Sequence, residues 1–282
     1  MVEVSPRGSM KLRLNLTLWY RTTYARAWVR VKSTYGEPVW VAVNLAVPLL
    51  SSLAMALLYS STGLSKFAGF AILGGVMLAF WGNVLWSMAS QFNWDKEVGI
   101  FEIYLISPAP ISAVLVGMSL GGILATVPSA ALVTIIGWVF FPTPVNPSWV
   151  VVLLTFMLTL ASLYALGMLL SSLYLAYGRE AESLNNAIGE PINLLSGLYF
   201  PSIGAGSPFP FAVQIVASLI PLTIGMDALR KSVFETGNVS TVWFDLALLA
   251  AMAAILLFLG DKALKILEER GRRQGTLVVR LK

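Results

Sequence analysis

The sequence predicts an all-α membrane protein with six transmembrane helices, and three observations lead to this fold class. The mean hydropathy is +0.78, and 57% of the residues are hydrophobic while only 12% are charged, which is typical of a chain in a bilayer. Segments 38–65, 67–94 and 103–178 contain no Asp, Glu, Lys or Arg. Since a helix needs about 20 apolar residues to cross the hydrocarbon core, the last segment holds at least two spans. Both ends are basic, with seven Lys or Arg in 1–37 and seven in 261–282, which favours cytoplasmic termini and an even number of crossings.

The N-terminal region, residues 1–38, is predicted to form a cytoplasmic tail and an interfacial elbow helix. A helix over 18–32 places Arg26 and Arg30 away from its apolar stripe, which consists of Leu18, Ala25 and Val29. Nearby Trp and Tyr side chains suit the headgroup region of a bilayer. A disordered basic tail is the alternative, although the aromatic content is high for disorder.

The six predicted spans form one permease-sized domain over residues 39–260, followed by a basic cytoplasmic tail over 261–282. The predicted spans are 39–60, 67–90, 111–141, 149–177, 184–201 and 243–260.

A short charged stretch between the second and third spans predicts a surface helix over 95–106. Asp95 is a good N-cap, and Glu97 suits the positive end of the helix dipole. At 100° per residue Val98, Phe101 and Leu105 share one side. Pro108 and Pro110 then end the helix. An ordinary cytoplasmic loop is the alternative interpretation.

The fifth span is the least apolar, since Asn185, Asn186, Glu190 and Asn193 lie in its first part. A carboxylate at membrane depth must face a cavity or a partner, so Glu190 is a functional candidate. Alternatively, Glu190 lies at the cytoplasmic interface. Within the following stretch, 201–231, the apolar piece 211–224 is too short for a comfortable further span, and an odd number of crossings would separate the basic ends. A pair of external re-entrant helices satisfies both constraints.

The residue types that are missing narrow the possible functions. Cysteine and histidine are both absent, which removes disulfides, thiolate nucleophiles, the common zinc sites and histidine acid–base chemistry. The net charge is +5, and most of the basic residues lie in the two tails that flank the spans, so the charge indicates membrane orientation and not nucleic-acid binding. No G-x-x-x-x-G-K-[ST] phosphate loop occurs, so the chain has no recognisable nucleotide site and is not expected to be an enzyme.

The surface helix carries a first family resemblance. Glu97, Gly99, Glu102, Leu105 and Pro108 resemble the Glu-x-Gly-Thr-x-Glu, Leu and Pro pattern of the ABC type-2 transporter permeases. In that family the segment is a coupling helix that docks on a separate ATP-binding subunit. Two departures are visible, because Ile100 replaces the usual Thr and Ala109-Pro110 replaces a more polar pair.

A second resemblance lies on the external side. Its pattern follows the fifth span of the same family, with Ile220 in place of the usual Asn. It comprises Leu195, Ser196, Gly197, Leu198, Tyr199, Phe200, Pro201, Gln214, Pro221, Leu222, Thr223, Asp227, Ala228, Leu229 and Arg230. The two motifs occur in the expected order on opposite sides of the membrane, and the resemblance covers roughly residues 30–260.

The resemblance implies a permease subunit of an ABC exporter in the cell membrane. It implies a partner ATPase that holds ATP and Mg, and a second permease subunit that is identical or homologous. The ATPase-coupling residues would then be Asp95, Glu97, Gly99, Phe101, Glu102, Tyr104, Leu105 and Pro108. The pathway or re-entrant residues would be Glu190, Gly197, Tyr199, Phe200, Pro201, Pro221, Asp227 and Arg230. A lipophilic drug, a lipid or a glycan would each suit such a pathway.

Two other function classes are open at this point. An ion-coupled secondary transporter would use Glu190, although the halves show no convincing repeat. A membrane enzyme, such as a lipid-modifying transferase or an intramembrane protease, would find little catalytic equipment here.

Overall fold

The computed structural model describes residues 6–177, 181–204, 206–235 and 239–274, and in these residues every regular element is helical. A 3₁₀ turn at Ser65–Phe67 precedes α3, and a π-helical segment at Asn83–Ala89 joins α3 to α4. The α-helices are α1 (Pro6–Gly36), α2 (Pro38–Ser61), α3 (Ala68–Gly82), α4 (Gln91–Glu97), α5 (Ile100–Ile106), α6 (Ile111–Phe140), α7 (Trp149–Tyr177), α8 (Ala181–Leu195), α9 (Phe211–Ser218), α10 (Pro221–Phe234) and α11 (Val239–Gln274).

Five helical runs in the described residues are long and apolar enough to cross a membrane. They are Pro38–Ser61, Ser65–Glu97, Ile111–Phe140, Trp149–Tyr174 and Ser240–Leu267. These runs confirm a multi-pass membrane protein and correspond to the predicted spans 39–60, 67–90, 111–141, 149–177 and 243–260.

The predicted fifth span, 184–201, is not confirmed as a span. Its helix, α8, has 15 residues, which is about 22 Å and shorter than the hydrocarbon core of about 30 Å. The chain then turns at Gly197, where φ is +73°. Helices α9 and α10 follow as a pair bent by 98°, and the number of candidate spans reaches six if this pair counts as one.

Helices α2, α3, α6, α7 and α11 form the bundle. Helix α3 packs against α2 and α6, the π segment packs against α7, and α11 packs against α7. The largest side chains of the shared core include Trp81, Phe92, Phe101 and Tyr174. We call the end of the bundle that carries α4 and α5 the inner end. The opposite end, which carries residues 196–235, is the outer end.

Helix α1 lies along α6 and runs in the same direction. The Thr23 hydroxyl donates to the Ala113 carbonyl at 3.2 Å, and the Tyr35 hydroxyl donates to the Ala125 carbonyl at 3.1 Å. The contacts are twelve residues apart on both helices (23 to 35 and 113 to 125), so the two helices stay together for about 18 Å. A helix is therefore present over the predicted residues 18–32, but it extends over Pro6–Gly36 and follows α6, and its interfacial position stays a prediction.

Two glycines of α6 allow this close approach. A Cβ on Gly117 would lie 2.6 Å from the Thr23 carbonyl oxygen, and a Cβ on Gly121 would lie 2.5 Å from the Ala27 carbonyl oxygen. The face of α1 that is buried here contains Thr23, while Val29 of the predicted apolar stripe is exposed. Helix α1 packs on α6 through small residues and arginine stems, and the predicted apolar stripe stays a prediction for a face that this contact does not use.

Candidate functional site

The predicted surface helix over 95–106 is two helices, α4 and α5, because Gly99 breaks it. Gly99 has φ +79°, a left-handed conformation that glycine adopts without steric cost. The Gly99 amide donates to the Lys96 carbonyl at 3.2 Å and ends α4. Helix α5 ends at Ile106, and α6 begins at Ile111 after Pro108 and Pro110. The predicted end of the helix is therefore confirmed, but its predicted beginning at Asp95 is wrong.

Asp95 lies inside α4 and is the centre of a buried polar cluster. Its Oδ2 accepts from Arg26 Nη2 at 3.0 Å and from the Tyr104 hydroxyl at 2.9 Å, and its Oδ1 accepts from Gln91 Nε2 at 2.7 Å. The side chain of Asp95 is 5% exposed, and that of Arg26 is 19% exposed. Asp95 is therefore not a helix N-cap. Its carboxylate is paired with Arg26, which lies 69 residues earlier in the sequence.

This cluster, formed by Arg26, Arg30, Gln91, Asp95 and Tyr104, is called the Asp95 cluster below. Arg30 Nη1 donates to Gln91 Oε1 at 3.2 Å, and the Arg26 guanidinium carbon lies 5.5 Å from the centre of the Tyr104 ring. Burial lowers the pKa of Arg30 to about 10, so it remains charged at neutral pH. Burial, together with the Asp95 carboxylate, raises the pKa of the Tyr104 hydroxyl, so this hydroxyl remains a donor. The cluster joins α1, α4 and α5 at the inner end.

Phe101 is not available to a partner, which corrects the expectation that it is a surface contact. It is 1% exposed and packs edge-on against Phe92, with ring centres 5.3 Å apart. A single helix over 95–106 would place Val98 beside Phe101, but the turn at Gly99 separates them. Val98 is 70% exposed.

The exposed surface of α4 and α5 is mostly apolar and includes residues that the sequence motif does not contain. We call it the inner ridge, and it consists of Trp94, Glu97, Val98, Ile100, Ile103 and Ile106. Ile106 reaches 83% exposure. Exposed apolar patches often mark interaction sites. The ridge could have been found in the sequence from the Val and Ile residues that cluster around Glu97 and Glu102.

The remaining motif residues lie close to this ridge. Glu102 is half-buried in the first turn of α5, and Pro108 is exposed in the link to α6. Glu97 is exposed, and its Oε1 accepts from Asn93 Nδ2 at 3.4 Å. Leu105 belongs to α5, but its side chain lies outside those that the structure describes.

At the outer end, Arg230 joins the turn after α8 to α3 and α10. Arg230 is 5% exposed. Its Nη2 donates to the Gly197 carbonyl, and its guanidinium carbon lies 5.2 Å from the centre of the Phe70 ring. A Cβ on Gly74 of α3 would collide with the Leu198 carbonyl. The structure therefore brings the predicted residues Gly197 and Arg230 together.

The other outer residues of the motif pack around this junction. The Tyr199 carbonyl accepts from the Tyr59 hydroxyl at 2.8 Å, which ties the turn to the outer end of α2. Phe200 packs edge-on against Phe209 at 5.6 Å, and half-buried Pro201 follows it. Pro221 is the first residue of α10, where its missing amide hydrogen costs nothing.

Asp227 belongs to a separate ion cluster at the same end. Lys231 Nζ lies 2.5 Å from Asp227 Oδ2 and 2.7 Å from Asp245 Oδ2, which links α10 to the first turns of α11. The described residues contain no group of three or more acidic, His or Cys side chains that could hold a metal ion.

Glu190 is exposed on α8 and forms no ion pair or hydrogen bond with the described residues of the two outer clusters. It lies on a helix face whose described members are all exposed, namely Ser183, Asn186, Ala187, Glu190, Pro191 and Leu194. These positions recur at three- and four-residue spacing, so they form one stripe along the helix.

The comparison with protein families agrees with this arrangement. A family model described as ABC-2 type transporter matches residues 22–234, which is 213 of the 282 residues. The matched range contains the Asp95 cluster, the inner ridge and the outer junction. No curated protein matches the chain at a significant level. A match over this much of a chain of long apolar helices shows that the protein belongs to the ABC-2 type transporter family and is a membrane permease component of an ABC transporter.

Proposed function

We propose that this permease is the membrane-spanning subunit of an ABC exporter and that its inner ridge docks on a separate ATPase subunit. The observation that carries this proposal is the position of the ridge. Apolar side chains such as Val98 and Ile106 are exposed on α5 and on the turn between α4 and α5, and the Asp95 cluster joins both helices to α1. A rigid, exposed apolar surface with a polar edge is the kind of surface that binds another protein.

The eight predicted coupling residues then divide into two roles. Glu97, Glu102 and Pro108 are the accessible ones and contact the ATPase. Asp95, Gly99, Phe101 and Tyr104 act from inside, because they fix the shape of the α4–α5 turn. Leu105 completes α5, and its role as a contact remains part of the proposal.

Motion reaches the spans through two connections. Helix α4 continues α3 through the π segment, and α5 leads through a proline-containing link into α6. When ATP and Mg close the partner's nucleotide sites, displacement of α4 and α5 moves α3 and α6 together, and the Asp95 cluster carries α1 with them. Such rigid-body rearrangement of helix groups is how alternating access operates.

The pathway forms between this subunit and a second permease subunit, either identical or homologous. The exposed stripe on α8 supports this proposal, because it contains Asn186 and Glu190 on a helix between the inner and outer ends. Such polar groups face a partner or a water-filled space in preference to lipid. The cargo is a lipophilic drug, a lipid or a glycan that moves outward, and the external junction around Gly197 and Arg230 belongs to its exit.

The orientation in the cell membrane follows from charge. The basic ends of the chain lie in the cytoplasm, so the inner ridge is cytoplasmic and 201–231 is external. In this organisation residues 1–38 are the cytoplasmic tail and elbow helix, 39–260 the permease domain and 261–282 the basic tail. The alternative of an ion-coupled transporter that uses Glu190 gains no support from the family match.

Purification of the tagged chain from its native host in mild detergent tests the docking proposal. The native chain is expected to co-elute with a nucleotide-binding ATPase in fixed stoichiometry, and Val98→Asp, which places a charge in the ridge, is expected to reduce recovery of the ATPase at least tenfold. The matched control is Leu64→Asp, which places the same charge at an exposed apolar residue in the outer turn between α2 and α3. Elution of the native chain alone in several detergents, or equal recovery with Val98→Asp, would contradict the proposal.

A further inference from the structure

Two buried polar atoms in the bundle have no hydrogen-bond partner among the described residues. They are the indole Nε1 of Trp81 on α3 and the side-chain Oδ1 of Asn193 on α8. The first atom carries a proton to donate, and the second is an acceptor. An unpaired polar group is costly in apolar surroundings, and native proteins leave few of them. The two atoms are therefore complementary, and each lacks what the other offers.

Two close contacts fix how α8 and the turn after it run along α3. A Cβ on Gly189 of α8 would lie 3.0 Å from Leu85 Cδ1, and a Cβ on Gly74 of α3 would collide with the Leu198 carbonyl. Residue numbers rise along one segment as they fall along the other. The two segments are therefore antiparallel, and both contacts lie on the same side of α3.

Trp81 and Asn193 lie between these two contacts, on the faces that meet. Trp81 follows Gly74 by seven residues, which is close to two turns, so the two share one face of α3. Asn193 follows Gly189 by four residues, so these two share one face of α8. Trp81 also lies four residues before Leu85. The indole and the amide are therefore at the same level, opposite each other.

This level is the middle of the membrane. Trp81 is the central residue of the helical run Ser65–Glu97, and it is 1% exposed. Polar groups at this depth must be satisfied within the protein, because hydrocarbon offers no hydrogen bonds. Leaving both atoms unpaired here raises the free energy of the conformation described above.

Helix α8 can bend between its two contacts with α3. Pro191 lies inside α8, where the missing amide hydrogen removes one helical hydrogen bond and the ring opposes a straight helix. The chain turns again at Gly197, where φ is +73°. The part of α8 that carries Asn193 lies between these two points, so a bend at Pro191 moves Asn193 relative to Trp81 and leaves the inner part of the helix in place.

We propose that Trp81 Nε1 donates to Asn193 Oδ1 in the second conformation of the transport cycle and that this bond holds the outer part of α8 against α3. The bond stabilises only the second conformation, and a transition requires such a difference in interactions between the two states. The stripe that contains Glu190 moves with α8, so Asn193 is a positioning residue for the pathway. This inference rests on the proposed function, since ATP binding by the partner drives the change.

The ATP turnover of the transporter, purified with its ATPase, tests the inference. Asn193→Leu and Trp81→Phe each remove one partner of the bond, so each is expected to lower stimulated turnover about three- to tenfold, the net effect of one hydrogen bond. The variant with both changes should equal either single variant, because the bond is already lost. Asn146→Leu, at an exposed asparagine in the link between α6 and α7, is the matched control and should keep the native rate.

The unfolding midpoint without ATP separates this role from a structural one. Asn193→Leu removes an acceptor that is unpaired in the conformation described here, so its midpoint is expected to stay at or above the native value. Trp81→Phe also shrinks a core side chain, and NMR of isotope-labelled tryptophan avoids that change. Exchange of the Trp81 indole proton should slow about three- to tenfold when vanadate arrests the transporter, and Asn193→Leu should abolish the slowing.

Three results would overturn the inference and leave the docking proposal standing. They are a native turnover rate in Asn193→Leu, a double variant in which the two losses multiply, and a lowered unfolding midpoint for Asn193→Leu without ATP, which would place the bond in the conformation described here. Failure of the native chain to co-purify with an ATPase would overturn the proposed function and this inference with it.

Discussion

The Arg26 guanidinium donates to the Asp95 carboxylate at 3.0 Å and joins the first helix of the chain to the helix that precedes the inner ridge. Arg26→Leu leaves a buried carboxylate without its cation, so we expect the free energy of unfolding to fall by about 3 kcal/mol. Thermal unfolding in detergent checks this. Arg26→Leu combined with Asp95→Leu should recover part of the loss, since the double variant buries no unpaired charge. An unchanged unfolding midpoint for Arg26→Leu would show that the ion pair does not stabilise the fold.

Gly121→Ala should separate α1 from α6. Its Cβ would lie 2.5 Å from the Ala27 carbonyl oxygen, a backbone atom that cannot move alone, so we expect a loss of about 1–3 kcal/mol in stability. Gly36→Ala is the matched control, because no atom lies within 4 Å of the new methyl group. Equal unfolding midpoints for the two variants would argue against close packing of α1 on α6.

Charge reversal at the inner ridge should act on ATP turnover and leave folding intact. Glu97 is exposed, so we expect Glu97→Lys to retain the native unfolding midpoint and to lower ATPase stimulation in the assembled transporter severalfold. Glu235→Lys makes the same change at an exposed glutamate of the outer end and should leave ATPase stimulation unchanged. If both variants lower it equally, the effect comes from net charge and the ridge is not the docking surface.

Arg230→Met should loosen the outer turn, because the Gly197 carbonyl loses its buried donor. The chain has no cysteine, so a single Phe200→Cys substitution reports exposure of the turn to a membrane-impermeant maleimide. We expect labelling to be severalfold faster in the Arg230→Met background, whereas Lys66→Met, which removes an exposed cation near the same end, should not change the rate. Equal rates in the native and Arg230→Met backgrounds would show that Arg230 does not hold the turn.

The membrane spans were predictable because each one is a continuous run of apolar residues, which can be recognised without knowing what the run contacts. A run of about 20 apolar residues has few alternatives in a chain of this composition. The role of Asp95 was not predictable, because its partner Arg26 lies 69 residues away and an aspartate before a short helix equally suits an N-cap. The same limit applies to α1, whose buried face follows its contact with α6 and not its own hydrophobic pattern.

Phe101 and Val98 show how one residue can invalidate a helical projection. The sequence placed them on one side of a continuous helix, but Gly99 starts a new helix, and the two side chains end 1% and 70% exposed. The motif containing Gly99 was visible in the sequence, whereas its left-handed backbone was not. The predicted fifth span stays a prediction, because α8 ends at Leu195 and another positive φ, at Gly197, turns the chain soon afterwards.

The π segment at Asn83–Ala89 makes the exact number of residues between α3 and α4 a structural requirement. The amide of Ser90 bonds five residues back, to the Leu85 carbonyl at 3.3 Å, so this turn accommodates one residue more than an α-helical turn. A chain shortened by one residue here would continue as ordinary α-helix and rotate Asp95 by about 100°, away from Arg26. Single-residue deletions in this segment are therefore expected to be far more damaging than substitutions, even though the segment lies outside both motifs.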